Sequence, residues 1–213
     1  NNSSSKTQEP AEHKKLIDIS LTLRLNSAAC KIRQHSFESA KREFVEFKKL
    51  WRTSVMTKIH TGNIDISNRD WSRHYIRYML YRGEYFYRAS HYPHGNHLVL
   101  ATKYYHKVGV LCERIDWIRF RAKAMERVAY IEMKLGKLTE ARDKLSYWLK
   151  ESKKNNDKRR IAFFYRTFAL LYVKRNQNRE AKEFAELALN LFNELNMIKR
   201  VEDMRVFINK LLD

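Results

Sequence analysis

A run of basic side chains in the second half of the chain is the first feature that suggests chemistry. The run reads Lys153-Lys154-Asn-Asn-Asp-Lys158-Arg159-Arg160. Ammonium and guanidinium groups bind phosphates through charge and hydrogen bonds. The candidate phosphate contacts are therefore Lys153, Lys154, Lys158, Arg159 and Arg160. A localisation-like patch is a second interpretation, and a solvated turn between helices is the more common one.

A second cluster mixes aromatic rings with arginine. The rings are Trp71, Tyr75, Tyr78, Tyr81, Tyr85, Phe86 and Tyr87, and the interleaved cations are Arg73, Arg77, Arg82 and Arg88. Rings beside cations stack on nucleobases in proteins that bind single strands. Spacings of three and four, however, place most of these rings on one face of a helix, which is typical of a packed core. We expect core packing, with base stacking as the alternative.

Signatures of catalysis or metal binding are scarce. His91, His94 and His97 are three residues apart, but Pro93 and Gly95 interrupt them and no neighbouring Cys or carboxylate completes a ligand set. The sequence has no Gly-rich phosphate loop, nucleophile elbow, HExxH helix or paired catalytic carboxylates. We expect a protein that is not an enzyme and that needs neither a metal nor another cofactor.

Composition favours long helices and an anionic partner. The 213 residues include five Gly and two Pro, fewer than the turns of an all-β protein need. A hydrophobic share of 44% is sufficient for a buried core. Lys and Arg number 43 against 24 Asp and Glu, a formal charge of +19. Such a charge attracts acidic protein surfaces, nucleic acid or anionic lipid.

The cysteines and the absence of long apolar runs bear on localisation. Cys30 and Cys112 stand in no metal-ligand or C-x-x-C spacing, which predicts buried thiols that act as small hydrophobic side chains in a reducing compartment. No apolar run approaches the roughly 20 residues of a membrane span, and no signal-peptide core is present. We expect an intracellular, cytoplasmic protein without a membrane span, or a nuclear one if the organism is eukaryotic.

Apolar periodicity divides the chain into segments that are almost all helical. We predict a disordered lead-in over 1–12, a helical hairpin over 13–60 and a repeat region over 67–213 that forms one continuous domain. In the first helix one apolar stripe holds Leu16, Ile19, Leu23 and Cys30, with Leu21, Leu25 and Ala28 beside it. Later helices are predicted near 71–89, 97–113, 117–135, 138–153, 158–175, 178–194 and 197–212. Gly136, Asn155-Asn156 and Asn176 stand at junctions, where left-handed caps are expected.

Small residues recur at a spacing of forty. Ala101, Ala141 and Ala181 are forty residues apart, and Ala129 and Ala169 precede the last two by twelve. This pattern resembles the tetratricopeptide repeat, in which antiparallel helix pairs stack into a right-handed superhelix. The small residues match that family's positions 8 and 20, where side chains must be short for helices to pack closely. The family's usual spacing is about thirty-four, so the helices here are longer.

The resemblance implies a concave groove lined by the first helix of each hairpin. The residues that it places on this wall are Arg77, Arg88, Lys123, Tyr130, Lys134, Arg166 and Lys174. Cations in a groove focus positive potential and steer acidic segments towards it. The alternative is that these side chains only keep an open groove soluble. Position 9 holds Glu84, Tyr130 and Leu170, which argues against the carboxylate clamp of chaperone-tail-binding repeats.

A narrower resemblance concerns the segments YMLYRGEYFYRASHY, ATKYYHKVGVLCERI and RAKAMERVAYIEMKLGKLTEA. Together they are similar to the first repeats of the Rap-type peptide-sensing bacterial regulators. That resemblance implies a short peptide in the groove and a protein partner on the leading helices. Long repeats of this kind also occur in vesicle-fusion adaptors and proteasome-lid-type scaffolds.

Three functions are compatible with these patterns. The leading hypothesis is an all-α, non-enzymatic interaction scaffold that binds an acidic or extended segment of another protein in a basic groove. The first alternative is a helical repeat that binds RNA or another nucleic acid, and the second is a peptide-sensing bacterial regulator.

Overall fold

The structure is a computed structural model of the chain, and it describes residues 8–60, 69–90 and 96–211. The described residues are almost entirely helical and include no strand, which confirms the predicted all-α class. They divide into two compact units, residues 1–104 and 105–213, with the boundary inside one helix. Each unit is described by itself below.

The first unit contains three long helices and the beginning of a fourth. These are α1 (Gln8–Arg33), α2 (Phe37–His60), α3 (Arg69–Ala89) and the first residues of α4 (His97–Arg114). Helix α1 packs on α2, and α3 packs on both. Of the expected lead-in over 1–12, residues 1–7 lie outside the described part of the chain and α1 begins at Gln8.

Helix α1 has two adjacent apolar stripes, and the one that is buried lies beside the stripe that contains Leu16, Ile19, Leu23 and Cys30. Leu21, Leu25, Ala28, Ala29 and Ile32 are buried, whereas Leu16, Ile19, Leu23 and Cys30 are exposed. The prediction that both cysteines are buried is therefore confirmed for Cys112 and wrong for Cys30, because α1 carries apolar residues on two adjacent faces. Packing against α2 and α3 selects one of them, and periodicity cannot rank them.

The second unit continues with five helices after the rest of α4. These are α5 (Ile118–Lys134), α6 (Leu138–Lys154), α7 (Lys158–Lys174), α8 (Asn178–Glu194) and α9 (Ile198–Asn209). Consecutive helices pack as hairpins, and α5 also packs on α7. The predicted helix over 178–194 agrees with α8 at both ends. The superhelix implied by the family resemblance stays a prediction.

Alanines hold the helices of the second unit together at close range. Ala129 and Ala169 on the first helices, and Ala141, Ala181 and Ala188 on the second, are completely buried. Because each presents only a methyl group, neighbouring backbones approach closely and larger residues such as Leu145 and Phe192 fill the space beside them.

The turns between helices share one conformation. Residues with positive φ occur at Asp116, Gly136, Asn156, Asn176 and Asn196, each two residues after a helix ends. At the second of these turns the Gly136 N–H donates to Met133 O (3.3 Å) and the Lys137 N–H to Glu132 O (2.9 Å). This is the Schellman motif, which satisfies the last carbonyls of a helix. The left-handed caps predicted at Gly136, Asn156 and Asn176 are confirmed.

Candidate functional site

The second unit places a cluster of arginines where α5, α7 and α9 meet. Arg166 lies near the middle of α7 and is half-buried. Its charge interacts with Arg127 and Tyr130 on α5 and with Arg200 on α9. We call Arg127, Tyr130, Arg166 and Arg200 the arginine face. Two of the predicted groove residues, Tyr130 and Arg166, therefore come together in the structure.

One buried carboxylate lies beneath this face. Glu126 on α5 is only 4% exposed, and its Oε1 accepts a hydrogen bond from the Thr167 hydroxyl at 2.9 Å. The same hydroxyl also approaches Phe163 O at 3.0 Å, within its own helix α7. Arg160 Nη1 is 3.7 Å from Glu126 Oε2. Glu126 therefore ties α5 to α7 and offsets part of the charge of both Arg160 and Arg166.

Cationic charge exceeds anionic charge on the arginine face. Burial lowers the pKa of the Arg166 guanidinium, Glu126 opposes that effect, and the neighbouring Arg127 and Arg200 add to it. Like charges close together disfavour the charged form of one another, and an anion at this face relieves that repulsion. Arg200 is already paired with Asp203 of its own helix at 2.8 Å. Helix α7 contributes to the positive charge, since its sequence KRRIAFFYRTFALLYVK contains cations but no carboxylate.

The other predicted groove residues of the second unit lie on the same two helices. Lys134 and Lys174 are the exposed last residues of α5 and α7. Lys123 lies near the start of α5, with its ammonium group 5.7 Å from the centre of the Phe120 ring. These three lysines extend the basic character of α5 and α7 towards both ends of the helices.

The remaining predicted groove residues belong to the first unit. Arg88 is half-buried in the last turn of α3, and its Nε donates to Glu84 Oε1 at 2.7 Å. Arg77 is half-buried on the same helix. The charge of Arg88 is therefore offset within its own helix.

The basic run over 153–160 is not one continuous patch. Lys154 pairs with Glu151 (2.7 Å), Lys158 pairs with Glu194 (2.8 Å), and Lys153 lies over the Tyr165 ring. Arg159 is exposed, whereas Arg160 is buried. These cations are adjacent in the sequence, but around the turn between α6 and α7 their side chains contact different partners.

The core packing predicted for the aromatic cluster of α3 is confirmed for Tyr78, whereas the rings of Tyr75, Tyr81, Tyr85, Phe86 and Tyr87 are half-buried. Tyr78 is buried and stacks on Phe47 of α2 with ring centres 5.0 Å apart, and Tyr75 stacks on Trp51 at 4.8 Å. Arg82 donates to the Tyr104 hydroxyl at 3.1 Å. Its guanidinium lies near three rings, those of Phe44, Phe86 and Tyr104. The side chain of Trp71 lies outside the described residues.

The structure describes no metal centre. Among the residues it describes, no group of three or more His, Cys, Asp or Glu side chains is placed to hold a metal ion. His91 and His94 lie outside those residues, and His97 begins α4. None of the helices in the described ranges is both long and apolar enough to cross a membrane.

Sequence reasoning missed three members of this site. Glu126 precedes Arg166 by forty residues, so the repeat puts a carboxylate and a guanidinium at equivalent places on neighbouring helices. That relation was available in the sequence. Arg127 and Arg200 gave no such signal, because their approach to Arg166 depends on how α5 and α9 pack against α7.

Comparison with known proteins gives no indication of the function. The sequence matches no known protein-family model, and no curated protein is significantly similar to it.

Proposed function

We propose that the chain is a non-enzymatic interaction module that binds an acidic, extended segment of a partner protein on its arginine face. The observation that carries the proposal is the electrostatic interaction of Arg166 on α7 with Arg127 on α5 and Arg200 on α9, which brings cations of three helices together beside Glu126 and Asp203. Guanidinium groups hold carboxylates through paired hydrogen bonds, so three of them on adjacent helices suit the side chains of an acidic segment.

The arrangement of the helices supports an extended ligand. The arginine face draws on three helices, and Lys134 and Lys174 continue the positive charge to the ends of α5 and α7. A ligand that crosses these helices meets a cation on each of them. Tyr130 is half-buried on α5 and its hydroxyl interacts with Arg166, so we expect its ring to add an aromatic contact to the ligand.

The test measures binding of a fluorescently labelled glutamate-rich peptide by fluorescence anisotropy. We expect the double variant Arg127→Gln/Arg200→Gln to bind about tenfold or more weakly, since each lost charge-assisted hydrogen bond costs roughly 1–3 kcal/mol. Glutamine keeps the side chain polar and therefore limits damage to packing.

The matched control is Arg142→Gln/Arg179→Gln. These two arginines are exposed on α6 and α8, and replacing them lowers the net charge by the same amount. We expect less than about a twofold change, because distant exposed charges are largely screened. Equal losses in both double variants would show that only overall charge attracts the peptide, and the proposal would be discarded.

A further inference from the structure

Arg160 is a buried cation whose guanidinium lies 4.8 Å from the centre of the Phe163 ring. The residue is 7% exposed, and its Nε–H has no hydrogen-bond partner among the described residues. The charge faces Glu126 Oε2 at 3.7 Å, which is too long for a hydrogen bond. A buried donor without an acceptor is costly, so it calls for an explanation.

Arg160 lines a pocket of about 190 Å³ in the second unit. The start of α5 provides Ile118, Arg119 and Ala122, the end of α6 provides Ser152 and Asn155, and the start of α7 provides Asp157 and Arg160. Two apolar side chains form part of the wall and polar groups form the rest. The pocket is large enough for a small anion together with the group that carries it.

Hydrogen-bond donors approach this pocket from three helices. Arg119 points its Nε towards Asp157 Oδ2 at 3.2 Å, and a guanidinium has further N–H groups on its terminal nitrogens. Ser152, which is only 3% exposed, adds a hydroxyl from α6. Arg160 adds its guanidinium from α7.

The carboxylate that lines the pocket, that of Asp157, already has a partner for each of its two oxygens. Asp157 Oδ1 accepts the backbone N–H of Arg160 at 3.0 Å and so caps α7, while Oδ2 faces Arg119. Its charge is offset by the positive end of α7 and by Arg119. Asp157 therefore orients Arg119 and still leaves the terminal nitrogens of that guanidinium for a ligand.

We propose that this pocket binds a phosphate group, as the free ion or as a phosphate monoester. Donors from three directions match an ion that has at least three free acceptor oxygens, whereas a carboxylate offers two. The two guanidiniums, of Arg119 and Arg160, also suit a charge near −2. The pocket shares no lining residue with the arginine face, although Glu126 faces Arg160 and also interacts with Arg166. The proposal does not depend on peptide binding.

The experiment is isothermal titration calorimetry of the intact chain with inorganic phosphate and with a short phosphoserine peptide, in chloride buffer. We expect saturable binding that becomes about tenfold weaker in Arg119→Gln and in Arg160→Lys, a loss of roughly 1.4 kcal/mol. Arg160→Lys keeps the charge but removes the planar set of donors. Circular dichroism establishes that each variant is folded. Arg119→Gln and Ser152→Ala carry the test if Arg160→Lys unfolds.

The matched control is Arg159→Gln. Arg159 is exposed at the second position of α7, as Arg119 is at the second position of α5, and it does not line the pocket. We expect it to change phosphate affinity by less than about twofold. An equal loss in Arg159→Gln, equally tight binding of acetate, or no heat of binding at phosphate concentrations up to about 50 mM would overturn the proposal.

The two titrations also identify the source of the phosphate. Tighter binding of the phosphoserine peptide, with the same sensitivity to Arg119→Gln, supports a phosphorylated partner. Tighter binding of the free ion, with that sensitivity, supports a free phosphate ligand.

Discussion

Glu43 shows at the scale of one residue how a buried charge is stabilised in the first unit. Its carboxylate accepts hydrogen bonds from Arg24 (3.0 Å), Ser27 (3.0 Å) and Lys31 (2.5 Å), all on α1. Burial by itself raises the pKa of Glu43, but the three hydrogen bonds outweigh it and lower the pKa to about 2. One carboxylate of α2 thus binds three side chains of α1.

The variant Glu43→Gln tests this account through its pH dependence. The folded pKa of about 2 lies below the ordinary value of 4.5, so the carboxylate stabilises the fold above pH 4.5. That stabilisation is lost as the pH falls from 4.5 towards 2. We expect Glu43→Gln to lower the free energy of unfolding by about 1–3 kcal/mol at pH 7. Urea titrations at several pH values should show this difference shrinking below pH 4.5.

A suitable control for that series is Glu38→Gln. Glu38 is an exposed residue of the same helix whose carboxylate is 3.8 Å from Lys41. Exposed ion pairs contribute little, so we expect a small difference at all pH values. A difference between wild type and Glu43→Gln that stayed constant down to pH 2 would contradict the role given to Glu43.

Residue-level contacts were the least predictable part of the molecule. The partners of Glu43 are 12 to 19 residues away on another helix, so they are determined by the register of a hairpin. Tyr130 and Arg166, by contrast, were placed near one another because the family resemblance orders residues along each helix. The missed burial of Arg160 has a similar cause: Lys158, Arg159 and Arg160 are consecutive cations in the first turn of α7, and only the packing of that helix makes the third one buried.

At the scale of elements, the turns are the strongest agreement between sequence and structure. Asn and Gly were expected at the ends of the helices because they adopt positive φ at low cost. Gly136 has a φ of 78° and Asn176 a φ of 59°. Turn chemistry is local, and therefore a short stretch of sequence is enough to predict it. The core face of α1 depended on its neighbours and was not predictable in the same way.

The variant Gly136→Ala tests the turn between α5 and α6. No atom lies within 4 Å of the methyl group that alanine would add, so the substitution changes conformation and causes no clash. Because φ is positive there, we expect a loss of about 1 kcal/mol in the free energy of unfolding. Chemical denaturation gives this value directly.

The reciprocal variant, Asn176→Gly, should have the opposite sign. Glycine relieves the left-handed conformation of Asn176 between α7 and α8, and we expect a gain of about a few tenths of a kcal/mol. If Gly136→Ala were neutral or stabilising, backbone conformation would not be what determines the residue at this turn.

At the scale of the whole molecule, the charge of +19 predicts weak binding to any polyanion. Charge was visible in the sequence from the outset, but its distribution was not. The structure pairs some of the 43 basic side chains with carboxylates, such as Lys144 with Glu132 and Lys158 with Glu194. What is concentrated on the arginine face is therefore a small share of the total.

Salt dependence distinguishes this general attraction from a nucleic-acid function. In filter-binding assays with RNA and duplex DNA, we expect binding at about 50 mM salt that falls by orders of magnitude at about 200 mM, because it consists of phosphate contacts alone. Tight binding that persisted at the higher concentration, with a preference for one sequence, would favour the nucleic-acid alternative over the interaction module.

The shared turn has a consequence for how such a chain can change in length. Asp116, Asn156 and Asn196 have the same left-handed backbone and occur forty residues apart, so any two of them present matching splice points. A two-helix block cut out between such points leaves a backbone junction of the same form as the one it removes. Gain or loss of a two-helix segment therefore requires no new turn. Recombination at these positions can lengthen or shorten the chain while keeping the same connection between helices.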